Sequence, residues 1–206
     1  MNTERLLTIE RQTNMESDVK FSWTLLKKEY KPVCIGCGAC LLALFFEKVS
    51  FSFALIASAF AFFLLTFSVL DFKYRLIFDK LLIYFLLSFF ALFCFDNSVF
   101  PELFDGFLSG TVCGGFFLLL QILKKDGIGG GDIKFIFCLG FWLGFKLIFA
   151  IYIGVLLALV AAIIVPKYRQ KRAPIPFAPF LSVGATVNFF CGEKLVAWYK
   201  EFFLCL

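Results

Sequence analysis

Residues 49–70 read VSFSFALIASAFAFFLLTFSVL, a run without a single charge, and Asp71 follows it directly. A helix rises about 1.5 Å per residue, so roughly 20 apolar residues cross the ~30 Å of a bilayer's hydrocarbon. This stretch can therefore span a membrane by itself. Six further apolar stretches flank it, at 33–46, 79–95, 101–123, 133–146, 147–165 and 177–191. Those at 101–123 and 147–165 are also long enough alone, whereas 33–46, 133–146 and 177–191 are short and need tilt or flanking polar residues to cross. The pattern predicts an all-α, polytopic integral membrane bundle of six or seven transmembrane helices.

Composition agrees. The 206 residues are 61% hydrophobic and 17% charged, with 32 Phe, which excludes an ordinary soluble domain, where charged residues make up about a quarter. The Phe enrichment is read as lipid-facing surface that supplies apolar area without specifying the fold. A net charge of +5 gives no reason to expect nucleic acid as a partner. Cys94, Cys113, Cys138, Cys191 and Cys205 lie scattered in apolar stretches and read as small hydrophobes rather than a disulfide framework. Residues 1–32 mix six basic with five acidic residues and lack the pattern of a secretory signal. They are read as a short cytoplasmic front region, and residues 33–206 as one membrane-embedded domain inserted whole.

Basic residues stay on the cytoplasmic side of a membrane. With a cytoplasmic N-terminus and seven crossings, 16 basic residues fall inside and four, Lys48, Lys146, Lys194 and Lys200, fall outside. The loop bearing Asp96, Glu102 and Asp105 holds no base and suits the outer face.

In such a chain the informative residues are ionisable groups at membrane depth, since an isolated buried carboxylate is costly. Asp71 opens the string Asp71-Phe72-Lys73-Tyr74-Arg75-Leu76-Ile77-Phe78-Asp79, and its plainest role is a helix-end carboxylate near Lys73 and Arg75. Asp132 follows Gly127, Gly129, Gly130 and Gly131, which favour a non-helical bend with Asp132 in the first turn of the next helix. The plainest reading there is a flexible loop capped by an aspartate. A P-loop is excluded because no Gly-Lys-Ser or Gly-Lys-Thr follows, and a dinucleotide fold because no strands alternate with helices. The chain has no His, which removes a Ser-His-Asp triad and a His-ligated zinc protease. Two carboxylates on one side of the membrane remain. Brought together they share a proton, and such a pair hydrolyses peptides without a metal or nucleophilic side chain.

These residues resemble the type IV prepilin peptidases, membrane aspartyl proteases of the Gly-x-Gly-Asp type. Gly129-Gly130-Gly131-Asp132-Ile133-Lys134 matches one family motif, with Asp132 on a catalytic position and Lys134 on the usual lysine. Asp71 falls on the other catalytic position, and Ile77-Phe78-Asp79 matches the motif's tail with Phe78 where proline is usual. Ile175-Pro176-Phe177-Ala178-Pro179 is similar to the family's Ile-Pro-Phe-Gly-Pro segment at its last helix.

The resemblance implies cleavage of prepilin or pseudopilin precursors after a leader glycine, at the cytoplasmic face of a bacterial inner membrane. The partners it implies are that precursor with its basic leader, membrane lipid, and a pilus or type II secretion assembly machinery. Gly129, Gly131, Lys73, Lys134, Asp79, Pro176 and Pro179 are expected to line or support the cleft, and Asp126 to assist. Full-length members carry two paired cysteine sets that bind zinc and are associated with methyl transfer from S-adenosylmethionine. Only Cys34, Cys37 and Cys40 occur at the front of this chain, one thiol short of a tetrahedral site, so residues 1–32 read as a remnant of that region. The peptidase step needs no cofactor, zinc would need another ligand, and methyl transfer is in doubt. The alternative is a non-catalytic assembly factor, or a transporter using the same carboxylates as a proton relay.

Overall fold

The computed structural model describes residues 50–123, 129–164 and 176–204. Residues 1–49, including the 33–46 stretch and Cys34, Cys37 and Cys40, lie outside that set, as do Asp126, the basic loop 167–172 and Ile175.

The described residues form helices α1 (Phe51–Tyr74), α2 (Asp79–Phe95), α3 (Leu103–Leu123), α4 (Gly130–Leu143), α5 (Leu147–Ile164) and α6 (Ala178–Leu204). Short 3-10 turns at Asn97–Val99 and Gly144–Lys146 join α2 to α3 and α4 to α5. The fold is an all-α bundle. By length and composition α1, α3 and the run Gly130–Ile164 can each cross a membrane. That last run is not one rod. Gly144 takes φ +57°, a left-handed conformation that suits glycine, and the chain reverses there. A side chain at Gly144 would also strike the Pro101 ring.

Contacts fix the directions. Asp71 of α1 meets Ala178 of α6, and Phe53 at the other end of α1 meets Phe189 and Phe190, so the two helices are antiparallel. Gly106 lies on Phe141 and Gly114 on Phe137 and Ile133, so α3 and α4 are antiparallel. Gly154 lies on Leu181 and Gly184 on Ala150, giving the same relation for α5 and α6. All six helices thus alternate in direction. The C-terminal end of α1 and the N-terminal ends of α2, α4 and α6 gather at one end of the bundle.

Helix α4 is the centre. Ile133, Phe135, Ile136 and every residue from Cys138 to Leu143 are buried, on all faces of the helix. This explains why the 133–146 stretch is short: it is solvated by protein, not by lipid. In contrast, only Leu147, Ala150 and Gly154 of the 18 residues in α5 are buried, leaving most of its Ile, Leu and Val side chains facing outward. Helices this uniformly apolar fit a lipid surround.

The aromatic residues do more than coat that surface. Phe60, Phe67, Phe85, Phe89, Phe135 and Trp142 are at most 2% exposed and form one cluster. The rings of Phe85 and Trp142 stack with centroids 5.1 Å apart, and Phe67 meets Phe135 at 4.6 Å. The expectation that Phe merely faces lipid is corrected here, since packed aromatic pairs prefer specific geometry and tie α1, α2 and α4 together. Phe62, Phe104, Phe107 and Phe116 do face outward. Cys138 is a buried free thiol, while Cys94 and Cys191 are free on the exterior.

Between helices in lipid there is little hydrophobic drive, and small residues allow the backbone approach that supplies dispersion. Gly106, Gly110 and Gly114 recur every four residues along α3 and face α4. Ser109 within this stripe is buried and its hydroxyl donates to the Gly106 carbonyl at 3.1 Å and the Gly140 carbonyl at 3.4 Å. At the opposite end from Asp71, Asn188 Nδ2 donates to the Lys146 carbonyl at 2.6 Å, joining α6 to the start of α5. Asp96 ends α2, and hydrogen bonds from the Ser98 hydroxyl, the Ser52 hydroxyl and the Ser98 N–H hold its carboxyl below the usual carboxylate range.

Candidate active site

Asp71 does not end its helix. α1 continues through Tyr74 and stops where Arg75 adopts φ +55°, its N–H donating to the Asp71 carbonyl at 2.9 Å. One turn inside the helix, the Asp71 side chain turns inward and is only 7% exposed. Its Oδ2 accepts the backbone N–H of Ala178 at 3.0 Å. Arg75 is near enough for its charge to act on Asp71. Asp71 is thus a carboxylate in the last turn of α1 near Arg75, as its plainest reading had it, but its side chain is buried and tied to the start of α6.

That donor exists because of the local sequence. The first N–H groups of a helix have no partner in the helix itself. Leu181 N–H bonds to the Phe177 carbonyl, and Pro179 has no N–H, so Ala178 offers its donor to Asp71. Pro176 is buried and Pro179 half-buried beside it. Phe177 lies against Phe117 of α3, with centroids 6.3 Å apart.

Asp132 lies in the first turn of α4, as its glycines suggest, but two of those glycines are helical. The helix begins at Gly130, Gly129 is its N-cap, and the Asp132 N–H donates to the Gly129 carbonyl at 3.1 Å. None of Gly129, Gly130 or Gly131 has positive φ. What the chain uses is their lack of a side chain. A Cβ on Gly131 would stand 2.9 Å from Ile77 Cβ, and one on Gly129 3.1 Å from Asp132 Oδ2. Gly131 thereby lets α4 close on the segment that leaves α1. A Cβ on Gly130 would meet nothing nearer than Gln121 Nε2 at 3.9 Å.

Asp132 is half-buried, its Oδ1 is fully enclosed without a hydrogen-bond partner, and the negative charge of Asp71 acts on it. Two acidic side chains 61 positions apart are thus neighbours at one end of the bundle. Lys134 points elsewhere. Its ammonium pairs with Asp79 at 2.7 Å, with side chains 57% and 64% exposed, and Asp79 is the first residue of α2. An ion pair so exposed contributes little, so Lys134→Ala is expected to change stability by less than about 1 kcal/mol, read from thermal unfolding in detergent. Lys73 lies exposed in the last turn of α1, where a cation suits the helix dipole.

Sequence reasoning reached both aspartates but missed Ile77 as the surface against Gly131 and Ala178 as the donor to Asp71. A backbone N–H leaves no signal in residue type, although the two prolines around Ala178 mark a helix start. The Gly106-Gly110-Gly114 spacing was a legible sign of close helix packing that went unread.

The fold and this end of it define a class: a multi-helix membrane protein with buried acidic groups gathered at one end of its bundle. A sequence profile described as the Type IV leader peptidase family matches residues 58–166, which contain both aspartates. The chain belongs to that family, the type IV prepilin leader peptidases. It is 32% identical over 168 residues to a prepilin leader peptidase/N-methyltransferase of Bacillus subtilis, covering 78% of this chain and 66% of that one. It is 28% identical to the protein of the same name from Pseudomonas aeruginosa, over 68% of this chain and 50% of the other. With that of Xanthomonas campestris the identity is 37%, over 42% and 31%. The chain therefore spans from about a third to just under two thirds of these relatives. No solved structure matches it.

Proposed function

We propose that the protein is a prepilin or pseudopilin leader peptidase that cuts after the leader glycine, with Asp71 and Asp132 as an aspartate dyad. The observation that supports this reading is that a buried carboxyl group at the end of α1 and a half-buried one at the start of α4 lie at the same end of the bundle, near enough for the charge of Asp71 to act on Asp132. Like charges in a poorly solvated site do not both ionise cheaply, so the pair holds one proton between them. The ionised member removes a proton from water as the water oxygen attacks the scissile carbonyl carbon. The protonated member gives its proton to the carbonyl oxygen. Collapse of the resulting diol breaks the C–N bond, and the amine leaves with the proton taken from water.

The basic-residue distribution supports a multi-pass protein of the bacterial inner membrane with this end in the cytoplasm. On that reading α1 to α6 make six crossings, and residues 33–46 would add a seventh. Residues 1–32 remain a proposed remnant of the relatives' front region. Residues 1–32 hold no cysteine and the stretch that follows only Cys34, Cys37 and Cys40, which leaves zinc and methyl transfer from S-adenosylmethionine outside the proposal. An apolar groove of about 470 Å³ between α2, α3 and α4, lined by Leu82, Leu86, Gly114, Leu118 and Phe137, ends at the Asp79–Lys134 pair. It would take the apolar helix that follows the leader.

The deciding experiment incubates the purified protein with a prepilin peptide spanning its leader glycine and locates the cut by mass spectrometry. Absence of cleavage would favour an assembly or proton-relay role instead. In the same assay Gly131→Ala is expected to lower the rate about 10²-fold, because the new methyl group pushes Ile77 and displaces Asp132, and small misplacements are expensive in catalysis. Gly130→Ala, with open space around it, should retain the wild-type rate.

A further inference from the structure

We infer that the start of α6 divides the work of the dyad: the Ala178 N–H fixes Asp71 as the base, and Asp132 is the proton donor. The inference rests on the dyad reading above and adds to it the identity of each partner.

The two carboxyl groups sit in unlike surroundings. Asp71 Oδ2 accepts a backbone N–H at 3.0 Å from the first residue of α6. A donor of this kind stabilises a carboxylate over a carboxylic acid. Asp132 differs in its hydrogen bonding: its Oδ1 is enclosed with no donor, and the charge of Asp71 acts on it. A buried oxygen without a donor is poorly suited to carry charge and well suited to carry the shared proton.

The other charges around Asp71 point the same way. Arg75 at the end of α1 is cationic and acts on Asp71, Lys73 is turned to the exposed side of α1, and Asp132 comes from α4. Asp79 of α2 is already neutralised by Lys134. α6 presents no titratable side chain between Ala178 and Phe190.

The cycle then balances. Asp71 takes a proton from water as the C–O bond forms, while Asp132 gives its proton to the carbonyl oxygen. When the C–N bond breaks, Asp71 passes its proton to the departing nitrogen and Asp132 recovers one from the diol hydroxyl. Both return to their starting states. Ala178 is a positioning residue here, acting through Asp71.

The test is Ala178→Pro. Proline suits the first position of a helix, so the substitution deletes the one N–H while keeping the helix start, and Ala178→Ser keeps the N–H as control. The full-length protein is assayed in detergent on a prepilin peptide, with kcat/KM followed against pH. Asp71 must be ionised to act, so activity falls as pH drops through its titration. Loss of the donor makes the carboxylate harder to form. The acid limb of Ala178→Pro is expected to move to higher pH by about one unit, with the serine variant unmoved. A lower plateau with the acid limb in place would reduce Ala178 to a structural role and overturn the assignment.

A second measurement covers a proline variant that fails to fold. The infrared band of a protonated carboxylic acid, present in the wild type near neutral pH, should be absent from Asp132→Asn. Its persistence there would place the proton on Asp71 and reverse the roles. The underlying dyad is checked apart from this. Cleavage surviving in Asp71→Asn or Asp132→Asn removes the dyad itself, whereas loss in both with an unmoved acid limb removes only the division of labour.

Discussion

Asp71→Asn and Asp132→Asn are each expected to cut cleavage of a prepilin peptide by about 10³-fold or more while leaving the protein inserted and folded. General acid and base groups contribute about 10²- to 10⁴-fold each, and groups that act as a unit fail together when either is lost. Structure should survive both changes. An Asn at position 71 keeps an oxygen for the Ala178 N–H, and an Asn at 132 keeps the size of the side chain at a position where one oxygen already lacks a donor. Single-turnover cleavage, read beside protease resistance of the folded protein in membranes, separates loss of chemistry from loss of fold. Cleavage persisting in either variant would end the dyad assignment.

Large effects on stability are expected at Gly110 and Gly140, where α3 and α4 touch through their backbones. A Cβ on Gly110 would stand 2.6 Å from the Phe137 carbonyl oxygen, and one on Gly140 would overlap Gly110 itself. These are backbone atoms and cannot swing aside, so the helices must part and give up the contacts along the whole stripe. Overpacking of this sort costs about 1–3 kcal/mol for a single methyl group. The two substitutions should not add, because the first already opens the gap that the second would need. Gly115→Ala is the matched control: nothing lies within 4 Å of its would-be Cβ, and alanine is the better helix former. Thermal unfolding in detergent should show Gly110→Ala and Gly140→Ala well below the wild type and Gly115→Ala level with it or above. A Gly110→Ala protein as stable as Gly115→Ala would mean that the backbones do not approach as described.

The helices were legible because lipid and protein ask the same thing of them, long uninterrupted apolar runs. The α2 bounds of 79–95 coincide with the stretch seen in the sequence. Elsewhere hydropathy misled at the ends. Asp71 seemed to close its helix because a charge interrupts the apolar run, yet the chain stays helical to Tyr74 and buries the carboxylate. α6 continues past residue 191 to Leu204 through Glu193, Lys194 and Lys200, since a helix that has left the apolar layer has no reason to stop at a charge. Hydropathy also cannot tell a helix wrapped by protein from one wrapped by lipid, and so the central place of α4 was hidden. At the site, the acids were found because they are chemically rare in such surroundings. What orients them, a backbone N–H and the absence of two methyl groups, is geometry that residue type does not encode.

The burial of α4 beyond its first turn has a bearing on how the protein meets its surroundings. Asp132 rides on a 14-residue segment whose height is set by neighbouring side chains and by the reversal at Gly144, with no acyl chains touching most of it. A thinner or thicker bilayer can tilt the lipid-facing α5, yet it has little grip on this inner post. Asp132 is thereby held at a depth that the inner packing sets, and its place should change little as the lipids around the bundle change.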